Sequence, residues 1–464
     1  MNGFYILLGL YAVAGTGISV AVMRKNRSQS DYFVGGGTIG WVVSAMTYAA
    51  TTYSAFMMVG LVGLSYATGV GALIFELVYL VATVILLSVF GGRIWDLARE
   101  HNLVSPMELF SLRYGRPAAT VGSVVAALAL VPYTAVQVIG LAVILEGYGL
   151  SFTGGVLFAV VVIGLWALLG GLRGVAITDA LQGVFMLAVA IAALVWVRRT
   201  VPGLETSTFP NQVWTPAFFI NLTLPWSFFA LTNPQVLQRV FILKRREDLR
   251  KMITLFAVFG AVFTVIVTII GFGAKAGTLQ GLLPEVATRD RVIVELMARM
   301  GRALALPLAL SIVFASVSTA NSILLTLSSM FTRDVFRRRG GTGAGRLVIL
   351  ALTAVVGLFA LTRPTTLVEL SVASSRILMV FLPLLFGVFF LRDTGRWSAL
   401  ATLVGGSVAA VLLGQLLPAV TTLATWRAPA TLVLLAAAAY PTASTCNRVL
   451  SLAAAEHMGI RQRT

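Results

Sequence analysis

The chain of 464 residues holds one cysteine, Cys446, and two histidines, His101 and His457. A single thiol cannot build an internal disulfide framework or a thiolate metal cluster. Two imidazoles outside the apolar runs do not make a His-rich metal site. Charge is scarce as well: Asp, Glu, Lys and Arg make up 11% of the residues, and 17 are acidic. No paired carboxylates, His cluster or nucleophile elbow stands out, so nothing here asks for an enzyme or an organic cofactor. The formal net charge of +17 suggests nucleic acid at first sight. Position excludes it, because the Lys and Arg lie in short loops between apolar runs, as the positive-inside rule expects.

Apolar residues are what the chain has: 58% of the total, with a mean hydropathy of +0.93. That composition belongs to an all-α integral membrane protein crossing the bilayer many times. About thirteen runs reach the roughly 20 residues a span needs. They lie near 3–23, 41–65, 70–90, 118–146, 153–170, 180–197, 216–239, 252–274, 304–331, 346–362, 366–391, 397–417 and 428–445. The first run has its basic cluster, Arg24, Lys25 and Arg27, behind it, the reverse of a secretory signal. The cluster puts the N-terminus outside and, with an odd number of spans, the C-terminus in the cytoplasm of a plasma-membrane protein. Counting Lys and Arg along that topology gives roughly 24 inside and about 9 outside, with Arg376 inside a span.

Polar residues within the spans locate the function. Phe314-Ala-Ser-Val-Ser-Thr-Ala-Asn-Ser322 lies in the ninth run, and at helical spacing Ala315, Ser318, Thr319 and Ser322 share a face. Hydrocarbon cannot hydrogen-bond hydroxyls, so that face points into protein or a polar cavity. A hydroxyl ladder offers hard neutral oxygens to a bare cation; back-bonding to the preceding turn is the plainer use of each hydroxyl. Span two holds Tyr48-Ala-Ala-Thr-Thr-Tyr-Ser54 at mid-depth, and span seven holds Pro225 and Thr232-Asn-Pro-Gln235. Both spans read as interrupted helices, five spans apart, which is the pattern of a transporter built from two inverted repeats. Ionisable groups within the spans are few: Glu76 in span three, Asp179 at the start of span six, and Glu369 with Arg376 in span eleven. Gln137 is polar in an otherwise apolar helix.

Five stretches together resemble the sodium/solute symporter family, over about residues 31–393. They are Asp31-Tyr-Phe-Val-Gly-Gly36, Arg113-Tyr-Gly115, Gly170-Gly-Leu-Arg-Gly-Val-Ala-Ile-Thr-Asp-Ala-Leu-Gln182, Asn233-Pro-Gln-Val-Leu-Gln-Arg239, and Ser318-Thr-Ala-Asn-Ser322 with Arg333-Asp334. The resemblance implies a leucine-transporter-type core of two inverted five-helix repeats, residues 31–200 and 201–393. An extra helix (1–30) precedes them, and two helices with a tail (394–464) follow. It implies a Na⁺ site formed by carbonyls of Ala50, Tyr53 and Ala315 with the hydroxyls of Ser318 and Thr319. Some relatives hold a second sodium; here it would use Asp179, Ser318 and Ser322, although Asn321 stands where those relatives have serine. By position in the family's pocket, solute contacts fall to Thr52, Ser54, Phe56, Glu76, Gln137, Asn233 and Gln235.

The function expected is sodium-coupled import of a small organic solute, a monocarboxylate, pantothenate or an amino-acid-like molecule, by alternating access. The bilayer and the solute are the expected partners, without nucleic acid or an obligate protein partner. Proton coupling through Asp179 or Glu76 is the nearest rival. A membrane solute sensor is the other, but about twenty residues after the last span leave no room for a signalling domain.

Overall fold

A computed structural model describes residues 2–363, 367–390 and 395–416. The span expected at 428–445, Cys446, His457 and the side chain of Glu369 lie outside the described residues. Helix α1 (Asn2–Met23) leads to a short α2 (Gln29–Val34), which the Ser28 side chain caps. Helices α3 (Trp41–Thr52) and α4 (Val62–Thr68) follow, joined by a π-helical segment, Phe56–Leu61. Next come α5 (Gly71–Glu100), α6 (Glu108–Tyr114), α7 (Arg116–Gly147) and α8 (Phe152–Thr200). The second half runs through α9 (Pro216–Ser227), α10 (Phe229–Thr232), α11 (Pro234–Phe241), α12 (Leu249–Leu279), α13 (Val292–Arg299) and α14 (Arg302–Met330). Helices α15 (Gly343–Leu361), α16 (Leu367–Leu378), α17 (Phe381–Phe390) and α18 (Arg396–Leu416) complete the described chain.

Only helices satisfy every backbone group within their own segment, so apolar runs in hydrocarbon become helices. Among the described residues, eight helices are long and apolar enough to cross a membrane, or nine with α3 and α4 taken as one bent span. Large apolar side chains cover the outside: Val13, Leu128, Leu181 and Leu358 are 73%, 65%, 62% and 68% exposed. Inside, hydroxyls, amides and a few charges (Glu76, Glu108, Asp179, Arg239 and Asp334) are buried among the apolar side chains of the core, as expected where the outer surface faces lipid.

Spans five and six are one helical segment of 49 residues, broken at Gly171. The sequence pattern suggests a loop of about nine residues there; the helix instead resumes directly after the break. Tyr11 meets Trp166, with ring centroids 4.8 Å apart, and accepts a 2.7 Å hydrogen bond from Gln182. Those partners flank Gly171, so the chain turns back on itself at that residue. Its φ of +55° suits glycine, and a Cβ there would press on Tyr32 and Asn26.

The two interrupted spans break where polar and proline residues fall. Tyr53 leaves the helical region (φ −85°, ψ 80°), and α3 and α4 are bent by 53°. In α3 the Thr52 hydroxyl donates back to the Tyr48 carbonyl at 2.8 Å, a bond that competes with helix continuation. In span seven Asn233 is extended, and Pro234 opens α11 without an N–H to give. Pro225, read from sequence as part of the same interruption, lies inside α9; the chain breaks only after Ser227. The start of span two and the end of span seven are joined by an isolated bridge. Ile39 donates to Ile242 at 3.0 Å, and Lys244 donates to Ile39 at 2.9 Å.

Close packing holds the bend in place. A Cβ on Gly260 of α12 would run into the Tyr53 hydroxyl, and that ring is already fixed by Phe256, Phe259 and Phe263. Gly260→Val is therefore expected to destabilise the protein by about 1–3 kcal/mol, the usual range for overpacking. Thermal unfolding in detergent reads this; an unchanged midpoint would mean that the Tyr53 ring is free to move.

Candidate functional site

The first polar centre forms where the end of α3 meets the middle of α14. Ending α3 at Thr52 frees the carbonyls of Ala50 and Thr51, whose usual donors have gone elsewhere. The Ser54 amide bonds Thr52 at 3.1 Å, and the Ala55 amide bonds Oε1 of Gln137 at 3.2 Å. The hydroxyls of α14 cover the freed oxygens instead. Ser318 donates to the Ala50 carbonyl at 2.7 Å and lies 3.4 Å from the Ala315 carbonyl. Thr319 reaches the Ala50 and Thr51 carbonyls, both at 3.1 Å. All of these residues are buried.

Four of the five residues expected at the ion site are thus together: Ala50, Ala315, Ser318 and Thr319. Tyr53 lies at the break itself with its ring on α12; among the described residues no hydrogen bond links it to α14. The Thr51 carbonyl, which sequence reasoning passed over, joins the set. Each hydroxyl now points a proton at a carbonyl. If the two hydroxyls rotate, their lone pairs and the carbonyls face one point with hard neutral oxygens, the ligand type that alkali and alkaline-earth cations take. Among the described residues no group of three or more His, Cys, Asp or Glu could hold a metal ion.

A second polar centre lies one turn away. Asp179 of α8 accepts a 2.5 Å bond from Thr47, and its other oxygen is buried without a partner. Arg239 of α11 is fully buried. Its Nη2 donates to Ser322 and, at 3.3 Å, to Thr51, while Thr51 and Ser322 share a 2.9 Å contact. Asp179 is the charge that Arg239 faces electrostatically. The residues suggested for a second sodium are therefore divided: Asp179 holds Thr47, Ser322 holds Arg239, and Ser318 belongs to the first centre. Beside Arg239, Gln238 accepts from Thr326 at 2.7 Å and donates to the Val104 carbonyl at 2.8 Å and to Ser329 at 3.2 Å.

Arg239 is the residue the sequence reading missed. At the end of an apolar run it looks like a loop cation, and only its place after two helix breaks hints that it is drawn inside. Arg376, the one arginine placed within a span from sequence, is by contrast only partly buried.

The residues expected to touch solute lie at the breaks in spans two (Thr52, Ser54 and Phe56) and seven (Asn233 and Gln235), with Gln137 on α7 and Glu76 on α5. Gln137 holds the Ala55 amide; Ser54 accepts from the Phe56 amide at 3.2 Å; Thr52 is engaged with Tyr48. Gln235 reaches Asn233 at 3.4 Å, leaving its own carbonyl oxygen buried and unpaired. Phe56 stacks toward Trp226 at 4.9 Å, and Trp226 in turn meets Phe75 at 6.1 Å, Tyr79 at 5.9 Å and Phe229 at 5.0 Å. Glu76 is buried beside this cluster, with one carboxylate oxygen lacking a partner. Apart from Phe56, the aromatic side chains were not anticipated, because rings at helical spacing read as ordinary core.

Several known proteins are similar to this chain. A sodium-coupled sialic acid symporter, solved substrate-bound and outward-open, superposes with a TM-score of 0.74 at 18% sequence identity. The match covers 88% of this chain and 91% of that one. The sodium/pantothenate symporter of Escherichia coli (strain K12) is 28% identical over 440 residues, covering 87% of this chain and 89% of the relative. Its counterpart in Haemophilus influenzae is 26% identical over 446 residues, with 89% and 90% coverage. An osmoregulated proline transporter of Bacillus subtilis is 24% identical over 443 residues, with 88% of each chain covered. The family model described as sodium:solute symporter family matches residues 32–406. A multi-pass helical membrane protein with freed carbonyls facing buried hydroxyls, matched over most of its length, belongs to the sodium:solute symporter family.

Proposed function

We propose that this symporter imports a small organic solute by alternating access, with sodium bound between α3 and α14. The observation that carries the reading is the pair of α14 hydroxyls seated on the carbonyls freed by the break after Thr52. Sodium would replace the protons of Ser318 and Thr319 among the oxygens of Ala50, Thr51 and Ala315, with the Tyr53 carbonyl at the break as a further ligand. Such an ion ties the broken span two to α14. A conformation that binds sodium better is then populated by sodium, and solute affinity rises reciprocally. Each net positive charge moved inward at 100 mV adds about 2.3 kcal/mol to the driving force. A second sodium between Asp179, Ser318 and Ser322 would have to displace Arg239 from Ser322.

The remaining assignments rest on charge, on spacing and, for the solute contacts, on position in the family's pocket. Residues 31–200 and 201–393 form the two inverted repeats, with the N-terminus outside and the C-terminus inside the plasma membrane. Thr52, Ser54, Phe56, Glu76, Gln137, Asn233 and Gln235 face the solute. The pantothenate and proline transported by the relatives fit the size class, and the solute is of that order.

Proteoliposomes with Na⁺ or K⁺ outside at fixed pH test the reading. Uptake of a labelled solute is expected to need Na⁺ and to be indifferent to an imposed pH gradient. Uptake driven by the pH gradient, with Na⁺ and K⁺ equivalent, would mean proton coupling and would move attention to Asp179 and Glu76.

A further inference from the structure

A groove of about 700 Å³ runs down the outer surface between α5 and α12. The two helices are antiparallel there: Gly92 meets Arg246, Gly91 meets Leu249, and Leu80 meets Gly260. The end of α5 and the start of α12 therefore share one rim, lined by Arg93, Arg246, Glu247 and Arg250. Two of these charges are already matched, Arg246 by Asp96 at 2.8 Å and Glu247 by Arg245 at 3.3 Å. Arg93 and Arg250 are left, both exposed. Arg93 rests over the Phe390 ring, 5.2 Å from its centroid. Neither guanidinium has a carboxylate or a hydrogen-bond partner among the described residues.

Below the rim the lining turns from charge to hydroxyl and then to hydrocarbon. Ser88 of α5 and Thr254 of α12 are exposed in the groove, about 6–8 Å deeper than Arg93 and Arg250 at the helical rise. Helical hydroxyls in hydrocarbon usually donate back to the preceding turn, as Thr268 of α12 does to the Thr264 carbonyl at 2.9 Å. Ser88 and Thr254 make no such bond among the described residues, so two donors face the lipid unpaired. Val84 and Val258 continue the groove to about 12–14 Å below the arginines. That depth is close to the hydrocarbon of one leaflet, about 15 Å.

We propose that this groove binds an anionic phospholipid. Its phosphate sits on Arg93 and Arg250, its ester carbonyls accept from Ser88 and Thr254, and an acyl chain runs along Val84 and Val258. Cation, hydroxyl and hydrocarbon follow one another in the order of phosphate, ester and chain. Basic pockets between membrane helices take anionic head groups through this charge complementarity. A free phosphate would leave the two hydroxyls and the apolar floor unused. The site lies apart from the ion and solute centres and stands whether or not the symport reading holds; in the topology proposed above its leaflet is the cytoplasmic one. A lipid seated here clamps α5 to α12 and stabilises the folded chain by mass action.

Titration of lipid into the delipidated full chain in detergent, read by native mass spectrometry and thermal unfolding, tests the proposal. Phosphatidylglycerol is expected to bind and to raise the unfolding midpoint. Phosphatidylcholine with the same chains should bind about tenfold more weakly or worse. Arg93→Gln/Arg250→Gln is expected to weaken phosphatidylglycerol binding by about tenfold or more, two charge-assisted contacts being lost. Ser88→Ala/Thr254→Val should weaken both lipids, by a smaller factor, because the esters are common to them. All four side chains are exposed, so the lipid-free midpoint should stay at the wild-type value in both variants. Arg24→Gln/Lys25→Gln removes two other exposed charges and should leave binding unchanged. An equal loss in that control would reduce the site to a diffuse basic surface. Equal affinity for the two lipids on the wild type, which needs no variant to fold, would reduce it to an apolar crevice. Displacement of the lipid by inorganic phosphate at the same concentration would make it a free-anion site. Each of these results would overturn the proposal, as would unchanged phosphatidylglycerol binding in Arg93→Gln/Arg250→Gln.

Discussion

Replacing Ser318 and Thr319 together by alanine is expected to raise the sodium concentration needed for half-maximal uptake by two orders of magnitude or more. Each hydroxyl would contribute a charged-group interaction of about 1.5–3 kcal/mol, so the pair contributes about 3–6 kcal/mol. A tenfold change in affinity corresponds to about 1.4 kcal/mol. The same substitutions strip the covers from the Ala50 and Thr51 carbonyls. The sodium-free protein is therefore expected to lose stability too, by about 1–3 kcal/mol for each carbonyl left bare. Two measurements separate these effects. Sodium titration of uptake at saturating solute reads the ion site, and thermal unfolding in K⁺ reads the hydrogen bonds. Thr319→Ser, which keeps the oxygen, should stay close to wild type in both. A double variant that unfolds earlier but keeps its sodium dependence would reduce the two hydroxyls to helix-packing groups.

The physics that made this centre visible in the sequence is the intolerance of hydrocarbon for unpaired polar groups. Ser316, Ser318, Thr319, Asn321 and Ser322 crowd into an otherwise apolar run, and Thr51 and Thr52 do the same in span two. Such groups must find one another, and Ser318, Thr319 and Ser322 do reach span two. Pro234 marked the break in span seven for a similarly local reason, the missing N–H. What stayed hidden depends on three-dimensional company. The reversal at Gly171 hangs on one dihedral inside a helical segment, so sequence spacing suggested a loop. The aromatic cluster beside Glu76 draws Tyr79, Tyr133, Trp226 and Phe229 from separate helices, and no local pattern tells a ring that lines a site from one that fills a core. Arg239 was lost for a third reason, since an arginine at the end of an apolar run normally reaches water.

Arg239 carries the second large effect. Its guanidinium is fully buried, bonded to Ser322 and Thr51, and two of its nitrogens have no partner. A buried cation in that state persists because Asp179 offsets its charge from α8 and two hydroxyls accept its protons. Removing it leaves Asp179 as an uncompensated buried carboxylate, held by Thr47 alone. Breaking a buried charge pair in this way typically costs about 3–5 kcal/mol. Arg239→Gln is therefore expected to lower the unfolding midpoint sharply and to reduce the amount of folded protein recovered from membranes. Asp179→Asn should do the same from the other side. The double variant Asp179→Asn/Arg239→Gln removes both charges and keeps neutral groups of similar size. It should be more stable than the sum of the single effects implies, by about 1 kcal/mol or more, because groups in one network are not additive. Strict additivity in that cycle would show that the two charges do not sense each other. Arg239 would then act only as a tether between α11, α3 and α14, and Arg239→Lys, which keeps the charge but loses the planar fork, would be nearly as damaging as Arg239→Gln.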